Sequence, residues 1–368
     1  MKILIVAPKN KTVYNFRGDL VKDMIAAGNE VYVTGPNRDF IEEVMGLGIK
    51  EFFEISLVKD NTNPFGDLQY LKQLKSCINQ LKPDIVFSYT VKPVIYGSLA
   101  AGSAGVKNIY GMITGLGRAY SASGAKAKMV RDVTKRLYHA ALKRCKKVIF
   151  QNPDDAAQLV KMHCLPESKT VLVNSSGVNM QRFSKSELPE APVFLMVSRI
   201  IREKGVLEYC EAAKAVKSEY PDARFVLLGA FDNAIGGLSK DEVMPYVEQG
   251  IIELPGEVKD PVSFYHSCSV YVLPSYYREG LPRTLLEAMS CGRPLITTDW
   301  TGCRLAVEDG KNGFIVPVRD SAAVADRMKR FLEDPGLIRQ MGDASYEICK
   351  TKFDVRKVNR QMRGIIEY

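Results

Sequence analysis

The chain is poor in the residues that build metal centres and disulfide frameworks. Its three histidines, His139, His163 and His266, are scattered, and no Asp-x-Asp pair is present to hold a metal-bound diphosphate. The eight cysteines, at 77, 145, 164, 210, 268, 291, 303 and 349, form no C-x-x-C pair. Spread through helix and strand patterns, they read as free, buried, cytosolic thiols, with neither disulfides nor zinc. No apolar run approaches the roughly 18–20 residues of a membrane span. The opening MKILIVAPKNK lacks a signal peptide's long apolar stretch and reads as a first core strand. No stacking-aromatic motif accompanies the basic residues, so nucleic acid is not expected as a partner.

What remains is an ordinary globular composition, 46% hydrophobic and 25% charged over 368 residues, long enough for two full cores. The net charge of +9 is unevenly spread. Residues 1–185 hold 27 Lys+Arg against 15 Asp+Glu, and the remainder holds 24 against 27. The basic first half bears on partners, not on fold.

Short apolar runs alternate with longer amphipathic ones. Strands are expected at Ile3–Ala7, Glu30–Thr34, Phe52–Ile55, Asp84–Tyr89, Asn108–Ile113, Val148–Gln151 and Thr170–Val173. A second series follows at Val193–Ser198, Arg224–Leu228, Ile251–Leu254, Val270–Leu273 and Leu295–Thr298. They are continuous and rich in Val, Ile and Phe, as parallel strands covered on both faces should be. The intervening stretches have helical period, the first at about 17–27. The polar, Pro-bearing stretch 180–192 is the best linker. The expected fold class is therefore α/β, with two doubly wound Rossmann-like domains facing across a ligand cleft. The domains are 1–185 and 186–352, followed by a C-terminal helix at 353–368 that packs back on the first.

Chemistry-bearing residues gather at the expected C-terminal strand ends of the second domain, the rim where such sheets bind ligands. Arg199 and Lys204 (SRIIREKG) suit a diphosphate and could stabilise charge on a departing phosphate without a metal. Gly229 lets a ligand approach the backbone closely. Val258 could meet the face of a base. In SYYREGLPRTLLEAMSCG, residues 275–292, Glu279 lies on a loop and Glu287 in the helix that opens near Pro282. A helix N-terminus flanked by carboxylates suits a ligand with phosphate in the middle and sugar rings at both ends. The plainer alternative for each is a surface charge or an ordinary βα turn.

The segments SRIIREKG, FVLLGA, LPGEVKD, SVYVLPSYYREGLPRTLLEAMSCGRPLITTD and EDGKNGFIVP resemble, in order, the retaining glycosyltransferases of the GT4 family, whose fold is GT-B. The E-x7-E element from Glu279 to Glu287 is that family's hallmark. In the first half, TVYNFRG, YTVKPVIYGSLAA and TGLGRAY are similar to bacterial members that extend polyprenyl-diphosphate-linked sugars for O-antigen, capsule or glycoprotein assembly. The resemblance implies that Arg199 and Lys204 hold the donor diphosphate, Glu287 the nucleotide ribose and Glu279 the donor sugar. Backbone N–H groups across Gly280, Leu281, Pro282, Arg283 and Thr284 would cradle the distal phosphate. A loop at 10–18 would close over the donor through Asn15 and Arg17. The donor is expected to be a UDP-sugar carrying galactose, GalNAc or a related amino or uronic sugar, used without a metal or other cofactor. The acceptor is a polyprenyl-diphosphate-linked saccharide. Many members carry a first-domain histidine near the reacting carbon; here the corresponding SYTVKPVIYG has none, and Lys92 or Thr90 stands in that neighbourhood. The rival functions are a nucleotide-sugar epimerase on the same scaffold and a non-catalytic sugar-nucleotide-binding protein.

Residues 126–147 hold nine basic side chains and one acid, Asp132. Met129, Val133, Leu137, Ala140 and Ala141 recur at helical spacing beside that charge. A polybasic amphipathic helix suits an anionic membrane surface. Peripheral attachment to the inner face of the plasma membrane is the expectation; a helix docked on its own sheet is the alternative. The nearby Thr114–Arg118 turn could contact the acceptor diphosphate, or it is simply a flexible βα turn.

Overall fold

A computed structural model describes residues 1–57, 64–116, 125–232 and 236–368, without the side chains of 125–127. The chain divides into two units: Met1–Ser176 with Arg356–Tyr368, and Gly177–Val355.

The first unit is built on seven strands: β1 Lys2–Val6, β2 Glu30–Gly35, β3 Glu51–Glu54, β4 Ile85–Tyr89, β5 Asn108–Ile113, β6 Lys147–Phe150 and β7 Thr170–Leu172. They pair in the order β3-β2-β1-β4-β5-β6-β7, every pair parallel. Helices Pro64–Leu81, Val91–Ser103 and Ala125–Leu142 bury one face of the sheet over Leu74, Val94 and Tyr138. Helix Asn10–Ala26 covers the other face. It is joined there by Val358, Met362 and Ile366 of the terminal helix Val355–Ile366, each at most 3% exposed. The four-residue spacing of those three puts them on one stripe. Burying them is worth roughly 5–9 kcal/mol as an upper estimate. Tyr368 donates a hydrogen bond to Asp23 at 2.8 Å and Lys146 pairs with Glu367, which ties down the end of the chain.

The second unit has six strands: β8 Val193–Val197, β9 Arg224–Leu228, β10 Glu253–Gly256, β11 Val270–Leu273, β12 Leu295–Thr298 and β13 Gly313–Val316. Their order is β10-β9-β8-β11-β12-β13, again all parallel. In both sheets the strand order reverses direction beside the first strand, between β1 and β4 and between β8 and β11. A crevice opens at such a switch point because successive crossovers leave on opposite sides of the sheet.

Several expectations are corrected. β10 begins two residues late because Ile251 and Ile252 are buried before the strand starts, their apolarity serving the core and not the ladder. β13 was not anticipated from GFIV, a run too short to separate from its loop. The stretch 180–192 is not a linker between units but part of the second. Phe183 is 2% exposed in that unit's core, and the buried Arg293 donates to the carbonyls of Ser186 and Glu187. Residues 10–18 form helix, not loop: beneath their polar composition, Val13, Arg17, Leu20, Val21 and Met24 recur as the buried face.

Candidate functional site

In the second unit the β8/β11 switch point is closed by two loops laced together through main chain. After β8 the chain passes Ser198 and Arg199 and makes a 3-10 turn at Arg202–Lys204. After β11 it passes Pro274 and Ser275. The Glu203 carbonyl accepts from Tyr276 N at 2.8 Å and from Ser275 Oγ at 3.2 Å. Ser275 Oγ in turn accepts from Tyr277 N at 3.2 Å. Gly205 makes this fit possible. Its φ is +78°, and a Cβ there would stand 2.1 Å from the Pro274 carbonyl oxygen. Only glycine satisfies both the left-handed backbone and the close approach.

The lacing brings three of the expected residues into one cluster. Lys204, 9% exposed, pairs with Glu279. Arg199 pairs with Asp232 at 2.7 Å. The ring of Tyr277 lies 5.6 Å from both the Arg199 guanidinium and the Lys204 ammonium. Both cations are thus held within reach of one aromatic ring, and each is balanced by a carboxylate. An entering diphosphate would meet preformed positive charge but must compete with Asp232 and Glu279 for it. Neither Tyr277 nor Asp232 was legible in the sequence, since only the fold brings them to Arg199.

Downstream, helix Arg283–Ser290 starts at the N-cap Pro282, which makes no side-chain cap. The expected run of amide donors is corrected at one position: Pro282 has no N–H, which leaves those of Gly280, Leu281, Arg283 and Thr284. The remaining amides sit at a helix N-terminus with its partial positive charge. Glu287, one turn further in, is 8% exposed. Tyr265 donates to its Oε2 at 2.9 Å, and Arg283 Nε stands 3.4 Å from its Oε1. Burial pushes its pKa above the usual carboxylate range, opposed by Arg283 and then by the Tyr265 hydrogen bond.

At Gly229 a Cβ would fall 1.8 Å from the Ser198 carbonyl oxygen, so rim packing by itself requires a glycine there. Its N–H donates to the Gly256 carbonyl at 2.9 Å, drawing the ends of β9 and β10 together. Val258, just past β10, is half-buried against the second unit's core.

In the first unit, Asn15 and Arg17 stand on helix Asn10–Ala26 and not on a closing loop. Arg17 is 4% exposed, stacks 5.1 Å over the Tyr89 ring and donates to Met112 Sδ and the Phe16 carbonyl. Lys92 pairs with Asp67 at 2.8 Å, and Asp67 also accepts from Tyr96 OH at 2.9 Å. Thr90, between β4 and this group, has φ +70°. Gly117 and Arg118 of the expected acceptor turn lie outside the described residues. The basic segment is helical over Ala125–Leu142, but its apolar stripe splits. Ala141 is buried with Tyr138 and Leu142, whereas Met129 and Val133 are 63% and 52% exposed.

Each unit is a parallel-sheet α/β domain, and in the second one cations, carboxylates and the start of a helix gather at the switch point of the sheet. Residues 179–348 match the family described as glycosyl transferases group 1, and residues 2–152 match glycosyl transferase 4-like. The two matches fall one on each unit, and the chain is a glycosyltransferase with the GT-B fold. It is 29% identical, over 92% of its length and 91% of the relative's, to a Campylobacter jejuni enzyme. That enzyme is named N,N'-diacetylbacillosaminyl-diphospho-undecaprenol alpha-1,3-N-acetylgalactosaminyltransferase. The Escherichia coli UDP-Gal:alpha-D-GlcNAc-diphosphoundecaprenol alpha-1,3-galactosyltransferase is 28% identical over 82% of this chain and 78% of its own. Among solved structures, Anabaena HepE in complex with UDP and glucose superposes with a TM-score of 0.82 at 18% identity, covering 100% of this chain and 99% of that one.

Proposed function

We propose that this glycosyltransferase moves a hexose or amino sugar from a UDP-sugar to a polyprenyl-diphosphate-linked saccharide, with retention of configuration and without a metal. The observation that carries the proposal is the Arg199–Tyr277–Lys204–Glu279 cluster at the β8/β11 switch point, beside the start of helix Arg283–Ser290. Arg199 and Lys204 bind the diphosphate and stabilise the charge that grows on it as the glycosidic bond breaks. Glu279, released from Lys204, accepts hydrogen bonds from the sugar hydroxyls. Glu287 accepts from the ribose. The names of the two bacterial relatives support a diphosphoundecaprenol-linked acceptor and, in one, a UDP-linked donor. Their alpha products, set against the α-linked sugar of UDP-galactose, favour retention.

An acceptor of this kind lives in a membrane, and the first unit carries a surface suited to one. Met129 and Val133 are exposed beside the exposed Lys128, Lys135 and Arg136. On helix Pro64–Leu81, Phe65 and Leu68 are 84% and 49% exposed. Each Lys or Arg near an anionic leaflet adds on the order of 1 kcal/mol. We read this surface as a peripheral membrane contact; no described helix is long and apolar enough to span.

The test is a UDP-sugar screen against a polyprenyl-diphosphate-GlcNAc acceptor, with and without chelator, and NMR of the product's anomeric coupling. Transfer that survives chelation and gives an α linkage is expected. Loss of activity on chelation refutes metal independence, and a β product refutes retention. Donor interconversion without acceptor would make the enzyme an epimerase. For the membrane contact, equal flotation with anionic and neutral vesicles at low salt refutes it.

A further inference from the structure

We propose that Tyr265 is a positioning residue for nucleotide binding, holding Glu287 ionised and aimed through the hydrogen bond from its hydroxyl to Glu287 Oε2. This rests on the reading of Glu287 as the ribose acceptor. Tyr265 is fully buried, and its phenol oxygen stands 2.9 Å from Glu287 Oε2. The ring cannot drift. Phe183 meets it edge-on with centroids 5.7 Å apart, and Tyr271 packs at 5.8 Å. Its backbone is fixed too, since Arg293, itself 0% exposed, donates from Nε to the Tyr265 carbonyl at 3.0 Å.

A carboxylate taken out of water is costly to keep charged unless donors replace its hydration. Glu287 has two neighbours that supply this: Tyr265 on Oε2 and Arg283 near Oε1. Arg182 adds positive potential, and among the described residues Tyr271 and Cys291 are the other titratable groups that face it. Among the described residues the phenol is the uncharged partner, packed wholly inside. It therefore fixes the carboxylate plane, and its donated proton favours the ionised form, which alone accepts hydrogen bonds from both ribose hydroxyls without offering a donor. Without it, burial raises the Glu287 pKa further, so protonation sets in at higher pH and nucleotide affinity falls earlier as pH is lowered.

Calorimetry of UDP and of 2′,3′-dideoxy-UDP binding between pH 6 and 8, on wild type, Tyr265→Phe and Glu287→Gln, tests this. Tyr265→Phe is expected to weaken UDP about tenfold at neutral pH, about 1.4 kcal/mol. The loss should be larger at pH 6 and absent with the dideoxy nucleotide. Glu287→Gln should weaken UDP with little pH dependence. Equal losses for both nucleotides in Tyr265→Phe would mean a merely structural tyrosine and overturn the proposal. So would wild-type UDP affinity in Tyr265→Phe beside a weakened Glu287→Gln, an outcome that leaves the ribose role of Glu287 standing. Unchanged affinity in Glu287→Gln overturns that role itself.

Discussion

Replacing Gly205 by alanine should damage the second unit far more than the same replacement at Gly310, although both glycines have nearly the same backbone, φ +78° and +75°. A left-handed non-glycine residue costs about 1–2 kcal/mol at either place. At Gly310 nothing stands within 4 Å of an added Cβ, so that cost is the whole effect. At Gly205 the Cβ would meet the Pro274 carbonyl oxygen at 2.1 Å and its carbon at 2.6 Å. Both are backbone, so the turn Arg202–Lys204 must separate from the loop after β11 by about an ångström, an overpacking cost of about 1–3 kcal/mol more. With about 2–4 °C of melting temperature per kcal/mol in a unit of this size, Gly310→Ala should lower the transition by a few degrees and Gly205→Ala by about twice that or more. The separation also stretches the hydrogen bonds from Tyr276 and Ser275 to Glu203 and pulls Lys204 from Glu279. UDP affinity should therefore fall in Gly205→Ala and hold in Gly310→Ala. Scanning calorimetry and UDP titration on the two variants decide it. Equal melting shifts, or a Gly205→Ala variant that binds UDP normally, would refute the lacing of the two loops as the device that builds the site.

Lys204→Ala should lower kcat by about 10²–10³ with a smaller change in KM, because its charge is matched to the departing diphosphate; a raised KM at unchanged kcat would reduce Lys204 to a ground-state contact. Arg293→Met should destabilise by about 3 kcal/mol, since the carbonyls of Tyr265, His266, Ser186 and Glu187 all lose a buried donor; a loss below about 1 kcal/mol in urea unfolding would contradict that role. Lys311 and Lys352 hold Glu308 well below the usual carboxylate value, to about 2. Its stabilising contribution is present above its ordinary pKa and lost as pH falls toward 2. Glu308→Gln should therefore flatten the fall in melting temperature between pH 6 and pH 3, and an unchanged profile would show that these exposed pairs contribute nothing measurable.

The sequence by itself determined the α/β class and nearly every strand, because buried parallel strands must be continuous apolar runs and the crossovers between them must be amphipathic. It also showed Arg199, Lys204 and Glu279 as rim residues, since each lies in the loop that follows a strand. Where apolar residues serve packing without joining a ladder, as at Ile251 and Ile252, or where a strand is as short as Gly313–Val316, local pattern misplaces or misses the element. The polar string from Asn10 hid a helix because its buried face is paid out one residue at a time, ending in an arginine stacked on Tyr89. Only the tertiary structure decided that Tyr277 meets both cations, that Asp232 balances Arg199 and that Tyr265 reaches Glu287. Those partners stand 22 to 78 positions apart in the chain, and a contact across that separation is set by which strands lie side by side, something no local spacing encodes. For the same reason the packing demand on Gly229 was not legible: its neighbour, the Ser198 carbonyl, arrives from the end of another strand.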